Sequence, residues 1–138
     1  MTGETPTVLL GKGETAVVLH AGLANRHGLI AGATGTGKTV SLQVMAEGLS
    51  ALGVPVFMTD VKGDLSGISQ PGREHPKIDE RLAAVGEVAD MGGFAFEGSP
   101  TVLWDLDGAH GHPIRTTITD MGPALLSRLM DLNETQEG

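Results

Sequence analysis

The segment "GATGTGKT", residues 32–39, has the residue types and the spacing needed to hold phosphate groups. It fits the Walker A pattern G-x-x-x-x-G-K-[ST] through Gly32, Gly37, Lys38 and Thr39. Glycines let the backbone curl so that N–H groups point inward around phosphates, and the N-terminus of a following helix adds positive potential. We therefore expect ATP and Mg²⁺ as cofactors, with Lys38 reaching the β- and γ-phosphates and the Thr39 hydroxyl ligating the metal. The residues predicted to contact the nucleotide here are Gly32, Ala33, Thr34, Gly35, Thr36, Gly37, Lys38, Thr39 and Val40.

Apolar patterns on either side of the loop predict the elements that would position it. Residues 29–31 form a short apolar run typical of a buried parallel strand. After Lys38 apolar residues recur at helical spacing, and Gly53 stands where a left-handed cap would end that helix. Residues 54–59 form a second apolar run, so we expect a parallel β-α-β unit with a right-handed crossover. The apolar positions of the predicted helix are Leu42, Met45, Ala46, Leu49 and Leu52.

Asp60 follows the second predicted strand, in "DVKGD", 22 residues after Lys38. In small-molecule kinases that resemble shikimate kinase, a D-x-D at this point helps to bind magnesium and the hydroxyl substrate, but Lys62 stands here where that pattern has an acid. In other nucleotide hydrolases the magnesium-linked acid lies on a later strand. The residues alone leave both interpretations of Asp60 open.

Before the loop, two apolar runs predict a small β-hairpin within residues 1–26. They are residues 7–10 and 16–20, joined by "GKGET". Lys12 in this segment is followed by glycine and not by Ser or Thr, so we interpret the segment as a turn and not as a phosphate loop.

After Asp60, residues 60–76 predict a long loop with one turn near residues 65–68. Two more strands are predicted at residues 94–96 and 101–106. A helix should begin near Pro76, and a last helix should be capped by Asp120. Their predicted apolar faces are Ile78, Leu82, Val85 and Ala89 in the first, and Leu125, Leu126, Leu129 and Leu132 in the second.

The segment after the predicted strand at 101–106 contains Asp105, Asp107, His110 and His112. These residue types can bind metals, but they share one irregular glycine-containing segment, so we favour a solvated loop.

Three further side chains are candidates for contact with a nucleotide. Arg115 suits either a phosphate contact or an ordinary salt bridge, and the salt bridge is favoured. Arg26 and His27 precede the first strand of the β-α-β unit, where a contact with the nucleotide and a structural role are equally compatible with their positions.

Composition limits the classes of function. The net charge of −8 argues against a free-standing nucleic-acid binder, because such domains usually carry a basic stripe. The chain has no cysteine, which excludes disulfides and cysteine-based zinc sites, and no apolar segment long enough to cross a bilayer. We expect a cytoplasmic protein with no membrane partner.

Residues 25–67, "NRHGLIAGATGTGKTVSLQVMAEGLSALGVPVFMTDVKGDLSG", strongly resemble the HerA-like branch of the HerA and FtsK superfamily of P-loop ATPases, and residues 115–138 resemble its continuation. The resemblance implies a hexameric ring that couples ATP hydrolysis to movement on DNA, as a translocase or helicase. It also implies that Asp60 and Lys62, which match the family's Asp-x-Lys element, lie near the nucleotide or a subunit boundary and do not form the Walker B motif.

The chain also departs from that family. An apolar strand ending in Asp-Glu has no counterpart, and in "TVLWDLDG" Asp105 is followed by Leu106. We therefore expect an α/β fold of the RecA-like P-loop NTPase class, with a parallel sheet flanked by helices. Its hairpin would span residues 1–26, and residues 27–138 would be the N-terminal part of the core, truncated before Walker B. The expected function is ATP and Mg²⁺ binding within a HerA-like ATPase; the alternatives are a small-molecule P-loop kinase and a nucleotide-binding fragment without hydrolysis.

Overall fold

An antiparallel hairpin begins the part of the chain, residues 5–133, that the computed structural model describes. Strand β1 (Thr7–Lys12) pairs with β2 (Ala16–His20), with an irregular register at Leu9 and Gly11. The pair lies where the two apolar runs and the glycine-rich turn predict a hairpin.

Contacts divide the chain into two units, Met1–Thr101 and Val102–Gly138. Beyond the hairpin, the first unit contains α1 (Lys38–Ala51), α2 (Pro76–Gly86) and short 3-10 helices at Ala21–Leu23 and Ser66–Ser69. The second unit contains a two-residue parallel pair, β3 (Trp104–Asp105) with β4 (His112–Pro113), and α3 (Ile118–Leu129). Among residues 5–133 no helix combines the length and the apolar character needed to span a membrane.

The core of the first unit lies where β1 packs against α1. Val8 and Ala46 are each only 4% exposed, and a Cβ atom at Gly48 would lie 2.2 Å from Cγ1 of Val8. Glycine at position 48 therefore permits the helix to approach the strand closely. The buried apolar side chains of the described residues are Val8, Ala46, Leu65, Ile68 and Val85.

Helix α1 ends as its sequence predicts. Gly53 has φ of 78°, and its N–H donates to the carbonyl of Ser50 at 2.9 Å, while the N–H of Val54 donates to the carbonyl of Leu49 at 3.0 Å. This pair of bonds is the Schellman arrangement, which glycine favours because its φ is positive. The cap turns the chain sharply into residues 54–59.

The predicted parallel strands are not paired in the described chain. Residues 29–31, 54–59 and 94–96 have no strand assignment, and Leu29 and Phe57 are 89% and 85% exposed. A parallel strand is stable when neighbouring strands complete its hydrogen bonds and helices cover both of its faces, and these apolar runs have neither here. The P-loop parallel sheet remains a prediction.

Helix α3 begins differently from the prediction. Thr117, and not Asp120, is its N-cap: the Thr117 hydroxyl accepts from the Asp120 N–H at 3.1 Å and donates to the Asp120 carboxylate at 2.6 Å. Threonine is among the residues favoured at an N-cap, and its hydroxyl also forms a hydrogen bond with the Asp120 side chain. Gly122, with φ of 70° and ψ of 166°, breaks the helix just before Pro123.

Candidate functional site

The glycine loop at residues 32–39 leads directly into α1. Gly35 and Gly37 have φ of 83° and 92°, in the left-handed region that favours glycine, and Gly37 immediately precedes the first helical residue, Lys38. A Cβ at Gly32 would lie 2.6 Å from Oγ1 of Thr36, so this position is restricted by space and not by φ. The three glycines thus shape a tight loop in front of the helix N-terminus.

Within the loop, the Lys38 side chain folds back and donates from Nζ to the Ala33 carbonyl at 2.7 Å. The same carbonyl accepts from the N–H of Thr36 at 3.4 Å and from its hydroxyl at 2.8 Å. The first N–H groups of an α-helix have no carbonyl partner within the helix. Residues 31–36 are exposed, so an ammonium group and helix-terminal N–H groups lie together at a surface that an anion can reach.

At the start of α1, the Thr39 hydroxyl donates to Oδ2 of Asp64 at 3.3 Å. One turn later Gln43 donates from Nε2 to the backbone carbonyl of Asp64 at 3.0 Å. Thr39 and Gln43 are four residues apart, so their side chains lie on the same face of the helix. The four-residue spacing from Thr39 is the signal in the sequence that places Gln43 beside the site.

Asp60 organises the loop that carries Asp64. Its Oδ1 accepts from the N–H groups of Lys62, Gly63 and Asp64 at 3.2, 2.7 and 3.2 Å. Its Oδ2 accepts from those of Leu65 and Ser66 at 2.9 and 3.1 Å.

Desolvation acts to raise the pKa of Asp60, but hydrogen bonds from the backbone outweigh it and lower the pKa below its ordinary value. The donors are the N–H groups of Leu65, Gly63, Ser66 and Lys62. Asp60 is therefore ionised at neutral pH and both of its oxygens are used within its own loop, while Asp64 is the carboxylate that the fold brings to Thr39.

The residues around Thr39 fit a magnesium ion that accompanies a nucleotide. Mg²⁺ prefers oxygen ligands and is usually held by one or two protein groups together with substrate phosphates. The Thr39 hydroxyl and the Asp64 carboxylate are such groups. With these two protein oxygens, the arrangement suits a cation that takes its remaining ligands from phosphates. Among residues 5–133 no cluster of three or more His, Cys, Asp or Glu could hold a metal.

The other predicted contacts of the first unit lie on the surface. Ala33, Thr34, Val40 and Lys62 are all exposed, and Lys62 takes part in the Asp60 loop through its backbone N–H. Arg26 and His27 are exposed in the irregular segment before the glycine loop.

In the second unit, Arg115 donates to the carbonyls of Ile114 at 3.0 Å and Leu106 at 3.4 Å. Among residues 5–133 Arg115 has these carbonyl contacts and no salt bridge, so the salt bridge favoured from the sequence is not found in that part of the chain.

Asp105 organises a loop of its own in the second unit. Its carboxylate accepts from the N–H groups of Asp107, Ala109 and His110 at 3.3, 2.8 and 3.0 Å. The bond from the His110 N–H makes the largest contribution to lowering the pKa of Asp105, against a smaller opposing effect of desolvation. The residues between β3 and β4 therefore form a loop anchored by Asp105 at the end of β3, in agreement with the favoured interpretation of the sequence.

The only adjacent Asp-Glu pair in the sequence, Asp79 and Glu80, lies within α2 and is exposed. A Walker B acid closes a strand, so this helical pair does not occupy such a position.

The chain matches a known protein family over most of its length. A family model described as "Helicase HerA-like C-terminal" matches residues 6–138, from the hairpin through both units. No curated protein and no solved structure matches the chain.

Proposed function

The chain belongs to the helicase HerA-like C-terminal family, and we propose that it binds ATP with Mg²⁺ as the nucleotide-binding part of a HerA-family ATPase. One observation carries the proposal: Lys38 folds back across a glycine loop that runs into the N-terminus of α1, with its ammonium 2.7 Å from the Ala33 carbonyl. A phosphate oxygen is a stronger acceptor than a neutral carbonyl because the bond is then assisted by charge on both sides. We expect Lys38 to exchange one acceptor for the other.

The remaining groups have complementary roles. N–H groups at the start of α1 would bind phosphate oxygens, since they have no partner within the helix. The Thr39 hydroxyl would hold the metal, as predicted from the motif. Mg²⁺, when bound, neutralises charge on the β- and γ-phosphates, and catalysis in this class consists mainly of positioning and charge stabilisation.

The family context supports a wider proposal, that the complete protein assembles as a hexameric ring and acts on DNA as a translocase or helicase. With a net charge of −8, contact with DNA would depend on a few local loops and not on a broad basic surface. The matched family is defined on the C-terminal domain of HerA-like helicases. Placement of this chain as an N-terminal portion remains a prediction, as does a location of Asp60 and Lys62 near a subunit boundary.

We further propose that this chain binds nucleotide with little turnover. Hydrolysis in this class needs a residue that orients the attacking water, and the family resemblance implies that this residue is a glutamate. Asp60 and Asp105 are engaged by backbone N–H groups of their own loops, and the Asp79–Glu80 pair is helical. The kinase alternative has less support, because it requires Asp60 to bind metal or substrate.

Titration with a fluorescent ATP analogue in Mg²⁺ tests the proposal. Lys38→Ala removes a charge-assisted hydrogen bond worth about 1.5–3 kcal/mol, so the affinity should fall by roughly ten- to a hundredfold. Lys77→Ala is a matched control, since Lys77 is an exposed lysine on α2 and its loss should leave binding unchanged. Equal affinity of the Lys38 variant and the wild type would reject Lys38 as a phosphate ligand.

A further inference from the structure

Asp64 lies beside the hydroxyl that the Walker A motif assigns to the metal. Its Oδ2 is 3.3 Å from Oγ1 of Thr39, and its side chain is exposed. We propose that the Asp64 carboxylate ligates the divalent cation that accompanies the nucleotide, next to Thr39, and thereby makes nucleotide binding dependent on the metal. This inference rests on the proposed function and adds a residue that the Walker A motif does not contain.

The backbone on both sides of Asp64 is held in place. Asp60 binds the N–H groups of Gly63 and Leu65 at 2.7 and 2.9 Å. Leu65 and Ile68 are buried, at 7% and 6% exposure, and so anchor the following residues in the core. The loop thus presents the Asp64 carboxylate at a defined place, which a metal ligand requires.

Gln43 joins this loop to α1. Its side chain donates to the Asp64 carbonyl at 3.0 Å, four residues after Thr39 on the same helix. The hydroxyl and the carboxylate are therefore connected through α1 as well as through their own hydrogen bond.

The geometry favours Asp64 over Asp60 as the ligand. The two oxygens of Asp60 already accept five backbone N–H groups, whereas the contact of the Asp64 carboxylate is with the Thr39 hydroxyl. Octahedral Mg²⁺ has ligands at about 2.1 Å, which places adjacent ligand oxygens about 3 Å apart. The observed 3.3 Å is close to that spacing, so both oxygens can serve one cation after a shift of a few tenths of an ångström.

A carboxylate at the position of Asp64 should make the affinity for ATP depend on whether a divalent cation is present. A carboxylate close to the phosphates of metal-free ATP repels them, whereas a cation between the two groups attracts both. Asp64 should therefore weaken the binding of ATP without metal and strengthen the binding of ATP with Mg²⁺.

Asp64→Asn keeps the size of the side chain and removes its charge. The test measures the affinity of a fluorescent ATP analogue in Mg²⁺ and in excess EDTA, and compares the ratio of the two. In the wild type Mg²⁺ should tighten binding; in Asp64→Asn that gain should shrink by about tenfold or more, with affinity in EDTA equal to or higher than that of the wild type. Asp107→Asn, a change at an exposed aspartate of the second unit, should keep the wild-type ratio.

An unchanged ratio in Asp64→Asn would overturn the inference and leave the proposed function standing. Absence of nucleotide binding by the wild type, with or without Mg²⁺, would overturn both.

A measurement on the wild type does not depend on how the variant folds. With Mn²⁺ and ATP bound to protein labelled with ¹³C-aspartate, electron–nuclear double resonance should detect a carboxylate carbon coupled to the metal. A nucleotide-bound Mn²⁺ without any such coupling would overturn the inference.

Discussion

Gly32→Ala should weaken nucleotide binding through a single steric conflict. The added Cβ would lie 2.6 Å from Oγ1 of Thr36 and 3.6 Å from its Cβ. Only the hydroxyl is too close, so Thr36 must rotate and lose its 2.8 Å bond to the Ala33 carbonyl. Loss of one such hydrogen bond costs about 1 kcal/mol. If the loop must regain its original shape before the phosphates bind, the affinity falls by roughly fivefold.

The assay is a titration with Mg²⁺ and ATP of four proteins: the wild type, Gly32→Ala, Thr36→Ala and the double variant. Because Thr36→Ala removes the clashing hydroxyl, Gly32→Ala should have almost no further effect in that background. Gly28→Ala is the matched control, since a Cβ at Gly28 meets nothing within 4 Å. An equal loss of affinity on adding Gly32→Ala to the wild type and to Thr36→Ala would refute the steric explanation.

Two further predictions concern the elements that support the site. Gly48→Ala places a Cβ 2.2 Å from Val8, and because overpacking exceeds the gain in helix propensity, the free energy of unfolding should fall by about 1–2 kcal/mol. Thermal unfolding checks this, with Gly67→Ala, where a Cβ meets nothing within 4 Å, as a neutral control; equal melting temperatures would contradict it. The pKa of Asp60 is lowered in the folded state, so its stabilisation of the loop is present above the ordinary value, about pH 4, and is lost as the pH falls through the lower folded pKa. Hydrogen exchange at Leu65, corrected for intrinsic rates, should therefore show protection that is constant near neutral pH and disappears in acid; protection that persists after the Asp60 carboxylate has been protonated would contradict it.

Local features of the fold followed closely from the sequence. The left-handed cap at Gly53, the turn after Leu65 and the proline in the first turn of α2 depend on residues close together in the chain. The predicted parallel sheet depends on pairing between residues far apart in the chain, which no short pattern encodes. Leu29 and Phe57 of its predicted strands are exposed in the described chain.

The candidate site was predictable in part for the same reason. Gly32, Lys38 and Thr39 belong to one short motif, so their proximity follows from their spacing. The contact between Thr39 and Asp64 joins residues 25 positions apart, and it depends on how the Asp60 loop folds back onto α1. Asp60 had the more suggestive position at the end of an apolar run, and its backbone hydrogen bonds give it a supporting role.

Calorimetric titration of the protein with ATP in Mg²⁺ tests the central claim most directly. We predict saturable binding of one nucleotide per chain, with an affinity that falls by roughly ten- to a hundredfold in Lys38→Ala and is unchanged in Lys77→Ala. The claim that the glycine loop is a nucleotide site would be contradicted if the folded wild type gave no binding heat at several temperatures. It would also be contradicted if Lys38→Ala bound ATP with the affinity of the wild type.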